Sequence, residues 1–238
     1  TYKIYPSGVV KVDARFTSAD MQVAESEVSE ATRTATFTPG NDAARKAAAK
    51  LNVPRIGVRF RLPAEMNVVE YFGRGPEENY IDRNAGTLIG LYKTTADKMY
   101  YNYVRPQENG HHTDTRWLSL SKKGGKRLTI VADSIIGFNA LRNSIEDFDS
   151  EEALPHPRQW NNFSPEEIAN HDEEAARNVL RRMHHVNDIT PRDFVEVCVD
   201  MKQQGVAGYN SWGARPEPGY TIPANQEYNW GFTLIPDK

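Results

Sequence analysis

Short runs in which apolar and polar residues alternate recur along this chain, and they constrain its fold more than any other feature. The clearest run is Pro54–Leu62, where Ile56, Val58 and Phe60 alternate with three arginines. Because successive side chains of a β-strand point to opposite faces, this spacing predicts a strand with one apolar face. Similar runs, bounded by glycine, proline and polar residues, cover residues 2–17, 67–72, 88–92, 100–104, 117–120, 128–132, 194–201 and 228–235. The sequence therefore predicts an all-β sandwich.

Two segments carry helix signals instead. Residues 42–51 (DAARKAAAKL) combine high helix propensity with an aspartate near the start. Ser164 is a good N-cap, Pro165 fits the first helical position, and Glu167 completes a capping box. We therefore expect one or two short helices in the β fold.

The composition excludes several classes of partner. The 29 lysines and arginines are balanced by 32 aspartates and glutamates, so no basic excess draws the chain onto nucleic acid. No apolar run approaches the roughly 20 residues that a membrane span needs, so no membrane partner is expected. The single cysteine, Cys198 in VEVCVDM, reads as a small buried core residue rather than a nucleophile, and it leaves the cellular compartment open.

The length of 238 residues suits one large β domain, so we expect a single domain over residues 1–238. The chain begins at Thr1 inside a strand pattern and without methionine, which suggests a piece of a longer polypeptide. Residues 18–52 and 155–186 have few large apolar groups or an irregular pattern. We interpret both segments as surface excursions or insertions.

A dense polar cluster lies in Tyr71–Arg83, YFGRGPEENYIDR. Gly73, Gly75 and Pro76 are expected to break the strand and to impose a particular loop conformation. Such a loop can hold a ligand. Alternatively, it is a rigid turn whose carboxylates and Arg83 satisfy nearby backbone groups.

Motifs for other chemistries are weak or missing. The paired histidines His111–His112 and His184–His185 would point to opposite faces of a strand, so neither pair is a natural metal site. Neither a phosphate-binding loop nor a nucleophile elbow occurs in the sequence. Glycosidase chemistry needs two carboxyl groups about 5–10 Å apart, a distance that sequence alone does not define.

Trp212 lies in a loop of small and polar residues, GVAGYNSWGARPEPGY. Such a loop offers little core, and an exposed indole face suits the apolar face of a sugar ring or a partner surface. The alternative is that Trp212 folds back onto its own loop.

Four of these segments occur together in one known family. They are PRIGVRF at residues 54–60, GRGPEENYIDR at 73–83, MYYNYVRPQENGHHTDTR at 99–116 and GVAGYNSWG at 205–213. In this order and spacing, they resemble the C-terminal domain of the large bacterial β-galactosidases of glycoside hydrolase family 2. The resemblance implies a supersandwich of the galactose-mutarotase-like type at the end of a multidomain enzyme.

The resemblance also implies how function is divided. The catalytic glutamates of this retaining family lie in a TIM barrel outside this chain, so the chain alone is expected to be inactive. Trp212 would form a wall against the sugar, with Asn210 as a weaker substrate contact. Tyr209 and Asn210 stand where the family often has acidic residues, which puts polar contacts from these positions in doubt.

The resemblance further implies the partners and cofactors. The partners would be the remaining domains of the parent enzyme and a galactoside, and the parent would be a homo-oligomer. The family commonly uses magnesium and sodium at sites outside this domain, so no cofactor is expected in this chain.

A free-standing aldose mutarotase or epimerase-like enzyme is the alternative. It would need a general acid and a general base that converge in one cleft. The candidate residues for those roles are His111, His112, Glu108 and Asp114.

Overall fold

The computed structural model describes residues 1–17, 52–148, 186–210, 214–224 and 226–237. Within these ranges, the regular structure comprises nine strands, one short helix and three 3₁₀ turns. The strands are β1 (Tyr2–Ile4), β2 (Val10–Phe16), β3 (Arg55–Pro63), β4 (Val68–Gly75), β5 (Leu88–Thr95), β6 (His112–Ser121), β7 (Arg127–Leu141), β8 (Phe194–Gln203) and β9 (Tyr228–Pro236). Helix α1 is Ala96–Met99, and the 3₁₀ turns are Ile145–Asp147, Val186–Asp188 and Pro218–Tyr220.

All the strands pair antiparallel in one sheet, which is organised around the long strand β7. The order is β1-β2-β9-β7-β6-β4-β5, and β3 joins through β8. Strand β6 runs along one side of β7. On the other side, β9 pairs with the first half of β7 and β8 with the second half. The all-β prediction is confirmed, and the arrangement is that of a sandwich-type domain.

One face of the sheet carries the main apolar core. The strands contribute to it at alternate positions, as a period of two requires. Its fully buried side chains include Tyr71, Leu118, Ile130, Phe138, Val197 and Phe232. Burying each large apolar side chain stabilises the fold by about 1.5–3 kcal/mol. A smaller cluster of Ile56, Ile222 and Tyr228 packs beside it.

Several local predictions need correction or lie outside the described residues. Residues 100–104 form no strand, because their aromatic rings pack individually instead: Tyr100 against Phe148, and Tyr101 against Tyr103. The predicted helices at 42–51 and after Ser164 lie outside the described ranges. Of the two segments interpreted as excursions, only the terminal residues Asn52 and Val186 are described.

Strand β4 continues through Gly73 to Gly75, so the expectation that the strand breaks at residue 73 is wrong. Neither glycine has a positive φ. Instead, both positions need glycine because neighbouring atoms approach the backbone too closely for a Cβ to fit. A Cβ on Gly73 would lie 2.4 Å from Thr115 Oγ1 and 2.9 Å from Thr115 Cα, and one on Gly75 would lie 2.2 Å from the Tyr71 hydroxyl.

Gly73→Ala should therefore destabilise the domain by about 1–3 kcal/mol, the usual cost of overpacking. The added methyl group meets the backbone of β6, which cannot move without disturbing its pairing with β4. Urea unfolding of the two proteins measures the difference. Gly86→Ala is the matched control, since a Cβ at Gly86 meets nothing within 4 Å, and its effect should stay within about 0.5 kcal/mol. Equal midpoints for Gly73→Ala and wild type would contradict the close-approach explanation.

An ion pair joins the two parts of the chain that flank residues 149–185. Asp147 accepts hydrogen bonds from Arg192 Nε at 3.0 Å and from the backbone N–H of Ser144 at 2.9 Å. Burial by itself raises the pKa of Asp147, but the hydrogen bonds from Arg192 and Ser144 outweigh burial and hold that pKa below its ordinary value. The ionised carboxylate is therefore the form that stabilises the fold.

The contribution of Asp147 should be lost in acid. Because its folded-state pKa is depressed, the stabilisation is present above the unfolded pKa of about 3.9 and disappears as the pH falls further. The free energy of unfolding of the wild type should fall more steeply than that of Asp147→Asn as the pH is lowered from about 4 to about 2. Parallel pH profiles for the two proteins would show that Asp147 has no such role.

Candidate functional site

The loop that follows β4 is fastened to neighbouring segments by its polar side chains. The Glu78 carboxylate accepts hydrogen bonds from the backbone N–H of Gly110 at 2.6 Å, from Arg83 Nη2 at 2.6 Å and from the Tyr103 hydroxyl. Asn79 Oδ1 accepts the backbone N–H of Thr113 at 2.9 Å. These contacts match the rigid-turn interpretation of Tyr71–Arg83 and leave Glu78 engaged within the fold.

Asp82 of the same loop binds the backbone of the Gly205–Asn210 segment, which leads towards Trp212. Its Oδ1 accepts the N–H of Val206 at 3.1 Å, and its Oδ2 accepts the N–H of Ala207 at 2.7 Å. Gly205 packs so tightly against this carboxylate that a Cβ there would lie 2.3 Å from Oδ2. The second and last of the four sequence motifs therefore meet through one side chain and two backbone N–H groups.

Of the two predicted sugar-contacting residues, the structure describes only Asn210, the last residue of this segment. Asn210 is exposed, as is its neighbour Tyr209, whose hydroxyl lies 3.4 Å from Glu217 Oε1. Trp212 lies outside the described residues. Val206 and Tyr209 of this segment are exposed apolar side chains, and so are Tyr101, Val104 and Tyr220 elsewhere in the described structure.

A second polar cluster is buried where β3, β7 and β8 meet. Arg55 donates to both carboxylate oxygens of Asp200, at 2.8 and 2.5 Å, and to Asn139 Oδ1 at 2.5 Å. Asn139 in turn donates to Glu108 Oε1 at 3.1 Å and faces His111 Nδ1 at 2.8 Å. The Asp200 side chain is only 2% exposed, so the charge on Arg55 is its essential partner.

Burial governs the protonation states in this cluster. Burial lowers the pKa of Arg55, but Asp200 more than reverses that change and the pKa lies above its ordinary value. Burial raises the pKa of both Asp200 and Glu108, against the opposing effect of Arg55. Burial and then Arg55 lower the pKa of His111 to about 3, so its ring is neutral at pH 7.

The two adjacent histidines point to opposite faces, as the sequence predicts. His112 packs against the core rings of Tyr71 and Phe138, at centroid distances of 5.0 and 5.2 Å. His111 lies on the other face, stacked on Tyr80 at 5.5 Å and joined to the Arg55 cluster.

Of the four candidates for a mutarotase-like acid and base, the structure brings two together. Glu108 and His111 both contact Asn139. His112 faces the core, and Asp114 of β6 pairs with Arg74 of β4. The cavity beside Glu108 and Asn139 measures about 10 Å³, which is room for about one water molecule rather than an aldose.

The structure also bears on the single cysteine, on metal binding and on membrane-spanning helices. Cys198 is buried, and burial raises the pKa of its thiol to about 12, as expected for a core residue. In the described ranges, no three His, Cys, Asp or Glu side chains are grouped so that they could hold a metal ion. Nor does the described part of the chain contain a helix long and apolar enough to cross a membrane.

Comparison with known proteins agrees with the resemblance carried by the four motifs. A family profile described as "Beta galactosidase small chain" matches residues 1–234. The chain belongs to this family. The match includes both the Asp82 anchor and the segment that it holds.

Individual members of the family are larger proteins. The chain is 32% identical over 184 residues to "Beta-galactosidase" of Priestia megaterium, covering 77% of this chain and 15% of that protein. It is 40% identical over 123 residues to "Beta-galactosidase" of an Arthrobacter species, covering 50% and 12%. It is 31% identical over 174 residues to "Beta-galactosidase BgaC" of Bifidobacterium adolescentis, covering 73% and 14%. The matched region of the chain thus spans only about 15% of such relatives' length.

Sequence reasoning missed the two carboxylates that organise these clusters. Asp82 is predicted only as one member of a polar loop, and Asp200 is not singled out. Arg55 is predicted to lie on the polar face of β3, which is correct, but that face is buried at this end of the strand. The sequence feature that points to Asp82 is its place in the second motif, residues 73–83. The fourth motif, residues 205–213, is rich in glycine, and its backbone N–H groups need an acceptor.

Proposed function

We propose that this chain is the C-terminal accessory domain of a β-galactosidase, an enzyme that hydrolyses terminal non-reducing β-D-galactose residues of β-galactosides. The observation that carries the proposal is the family match over residues 1–234, together with relatives named β-galactosidase that are several times longer. The parent enzyme is the longer polypeptide or complex of which this domain forms part.

The chain alone is proposed to be inactive, with the catalytic carboxylates of a retaining glycosidase supplied by a TIM barrel elsewhere in the parent. In support, the buried carboxylates are already committed to the fold. Asp200 pairs with Arg55, and Glu78 binds Arg83 and the N–H of Gly110. Residues committed in this way are poor candidates for a nucleophile or an acid.

The contribution of this domain to the substrate site is proposed to be Trp212, whose indole face would pack against the galactose ring, with Asn210 as a weaker contact. The anchored segment supports this assignment. Its first residues are held to the domain by Asp82, while Tyr209 and Asn210 are exposed at its far end. A segment that is fixed at its start and exposed at its end suits a side chain that must reach a neighbouring domain.

The proposed partners are the remaining domains of the parent and the galactoside, and the parent is proposed to be a homo-oligomer. Exposed apolar residues such as Val104, at 86% exposure, and Tyr209, at 67%, suit contact with another domain. Magnesium and sodium would bind the parent outside this chain.

The isolated chain offers a direct test against the alternative of a free-standing mutarotase. We expect it neither to hydrolyse a chromogenic β-galactoside nor to accelerate the change of optical rotation of α-galactose. The alternative is considered because Glu108 and His111 share the Arg55 cluster. Catalysed mutarotation that is lost in Glu108→Gln would overturn the accessory-domain proposal, since that variant removes the carboxylate of the candidate pair Glu108 and His111.

A further inference from the structure

The backbone of the segment that leads to Trp212 adopts an unusual path. Ala207 has a φ of 52° and Gly208 a φ of 86°. Glycine tolerates this region, but alanine rarely adopts it, because the Cβ crowds the following carbonyl group. Such a conformation persists only where the surroundings determine it.

The surroundings that determine it are those of Asp82. Each oxygen of its carboxylate takes one N–H group from successive residues, Val206 and Ala207. Consecutive N–H groups converging on an anion form a compact concave site, and a charged acceptor makes such hydrogen bonds stronger than neutral ones. The carboxylate thus acts on the segment at the point where the backbone turns.

Asp82 itself is held on a rigid support. It lies in a turn closed by two backbone hydrogen bonds between Tyr80 and Arg83, at 3.3 and 2.8 Å. Tyr80 is 1% exposed and is stacked on His111, and Arg83 lies over its ring at 5.2 Å. The position of the carboxylate is therefore tied to the buried interior rather than to a mobile surface.

We propose that Asp82 is a positioning residue for galactoside binding: by holding the N–H groups of Val206 and Ala207, it sets the place of the segment that carries Trp212. This inference rests on the proposed function, because it needs Trp212 to contact the sugar. Asp82 touches no substrate, and its effect passes entirely through the backbone of residues 205–208.

The chemistry provides a graded set of variants. Asp82→Asn keeps one acceptor oxygen and loses the charge, so it should retain part of the effect. Asp82→Ala removes both acceptors. Gly205→Ala leaves the Asp82 carboxylate intact but inserts a Cβ 2.3 Å from its Oδ2. The added methyl group should push the backbone of the segment away from the carboxylate.

The experiment uses the parent enzyme and measures KM and kcat for a β-galactoside in these variants, in Trp212→Ala and in the double variant Asp82→Ala/Trp212→Ala. Since misplacing a contact by about 1 Å can cost up to 100-fold, we expect Asp82→Ala to raise KM roughly tenfold, with a smaller change in kcat. Asp82→Asn and Gly205→Ala should raise it by smaller factors. In the double variant, KM should equal that of Trp212→Ala alone, because Asp82 acts only through Trp212.

Asp147→Asn is the matched control, since Asp147 also binds a backbone N–H but in a different turn, and its KM should match wild type. An unchanged KM in Trp212→Ala would refute the proposed contact of Trp212 with the galactoside, on which the positioning role rests. A raised KM in Trp212→Ala together with an unchanged KM in Asp82→Ala, or effects that multiply in the double variant, would overturn the positioning role alone. If Asp82→Ala does not fold, as judged by its thermal unfolding, Asp82→Asn and Gly205→Ala replace it. A raised KM in these two variants supports the positioning role, and a KM equal to that of wild type overturns it.

Discussion

Replacing Arg55 by leucine should destabilise this domain by about 3–5 kcal/mol, a large fraction of the stability of a typical domain. The guanidinium is the only cation that contacts Asp200 in the described structure, and that carboxylate is 2% exposed. Without Arg55, the fold must either bury an unpaired charge or protonate Asp200. Urea unfolding at pH 7, monitored by circular dichroism, measures the loss.

Two further variants make this prediction specific. Asp200→Leu combined with Arg55→Leu should cost clearly less than the sum of the two single variants, because no unpaired charge remains. Lys122→Ala breaks an ion pair of similar length, 2.7 Å to Glu65, in which both side chains are at least half exposed, and should cost less than about 1 kcal/mol. If Arg55→Leu costs no more than Lys122→Ala, the buried ion pair does not hold β3 against β8.

Trp212→Ala in the parent enzyme should weaken galactoside binding by about 1–3 kcal/mol, the contribution of one aromatic face packed on a sugar. That loss corresponds to a rise in KM of roughly five- to 150-fold. The unfolding midpoint should change little, because a residue placed against a substrate in another domain adds little to the core of its own. Steady-state kinetics over a range of galactoside concentrations provides the measurement.

The conservative variant Trp212→Phe should retain most of the binding, since it keeps an aromatic face. Tyr5→Ala removes a half-exposed ring from the β1–β2 hairpin and should leave KM unchanged. A KM for Trp212→Ala within twofold of wild type would contradict the role assigned to this residue.

Local sequence patterns predict a strand correctly where the alternation of apolar and polar residues matches the alternation of buried and exposed side chains. In β3, the alternation of Ile56, Val58 and Phe60 with arginines matches one face towards the core and one away from it. In β7, only residues 128–132 were predicted, although the strand runs to Leu141. Asp133 and Ser134 interrupt the apolar pattern there because residues 133–135 are exposed, whereas the pairing with β6 resumes beyond them.

The clusters that organise the candidate site could not be predicted in the same way, because their partners are distant in sequence. Asp82 binds backbone groups 124 and 125 residues away, and Arg55 pairs with Asp200 across 145 residues. The glycines of β4 illustrate the same limit. Their small size serves contacts with β5 and β6 that only the folded sheet creates.

The most direct measurement for the proposed function compares β-galactoside hydrolysis by the parent enzyme with that by a version lacking residues 1–238, and by the isolated chain. We predict full activity for the parent, no hydrolysis by the chain alone, and a strongly raised KM or loss of activity in the shortened parent, because its galactoside site is incomplete. A shortened parent that folds and keeps the KM and kcat of the full enzyme would contradict the claim that this domain completes a galactoside site.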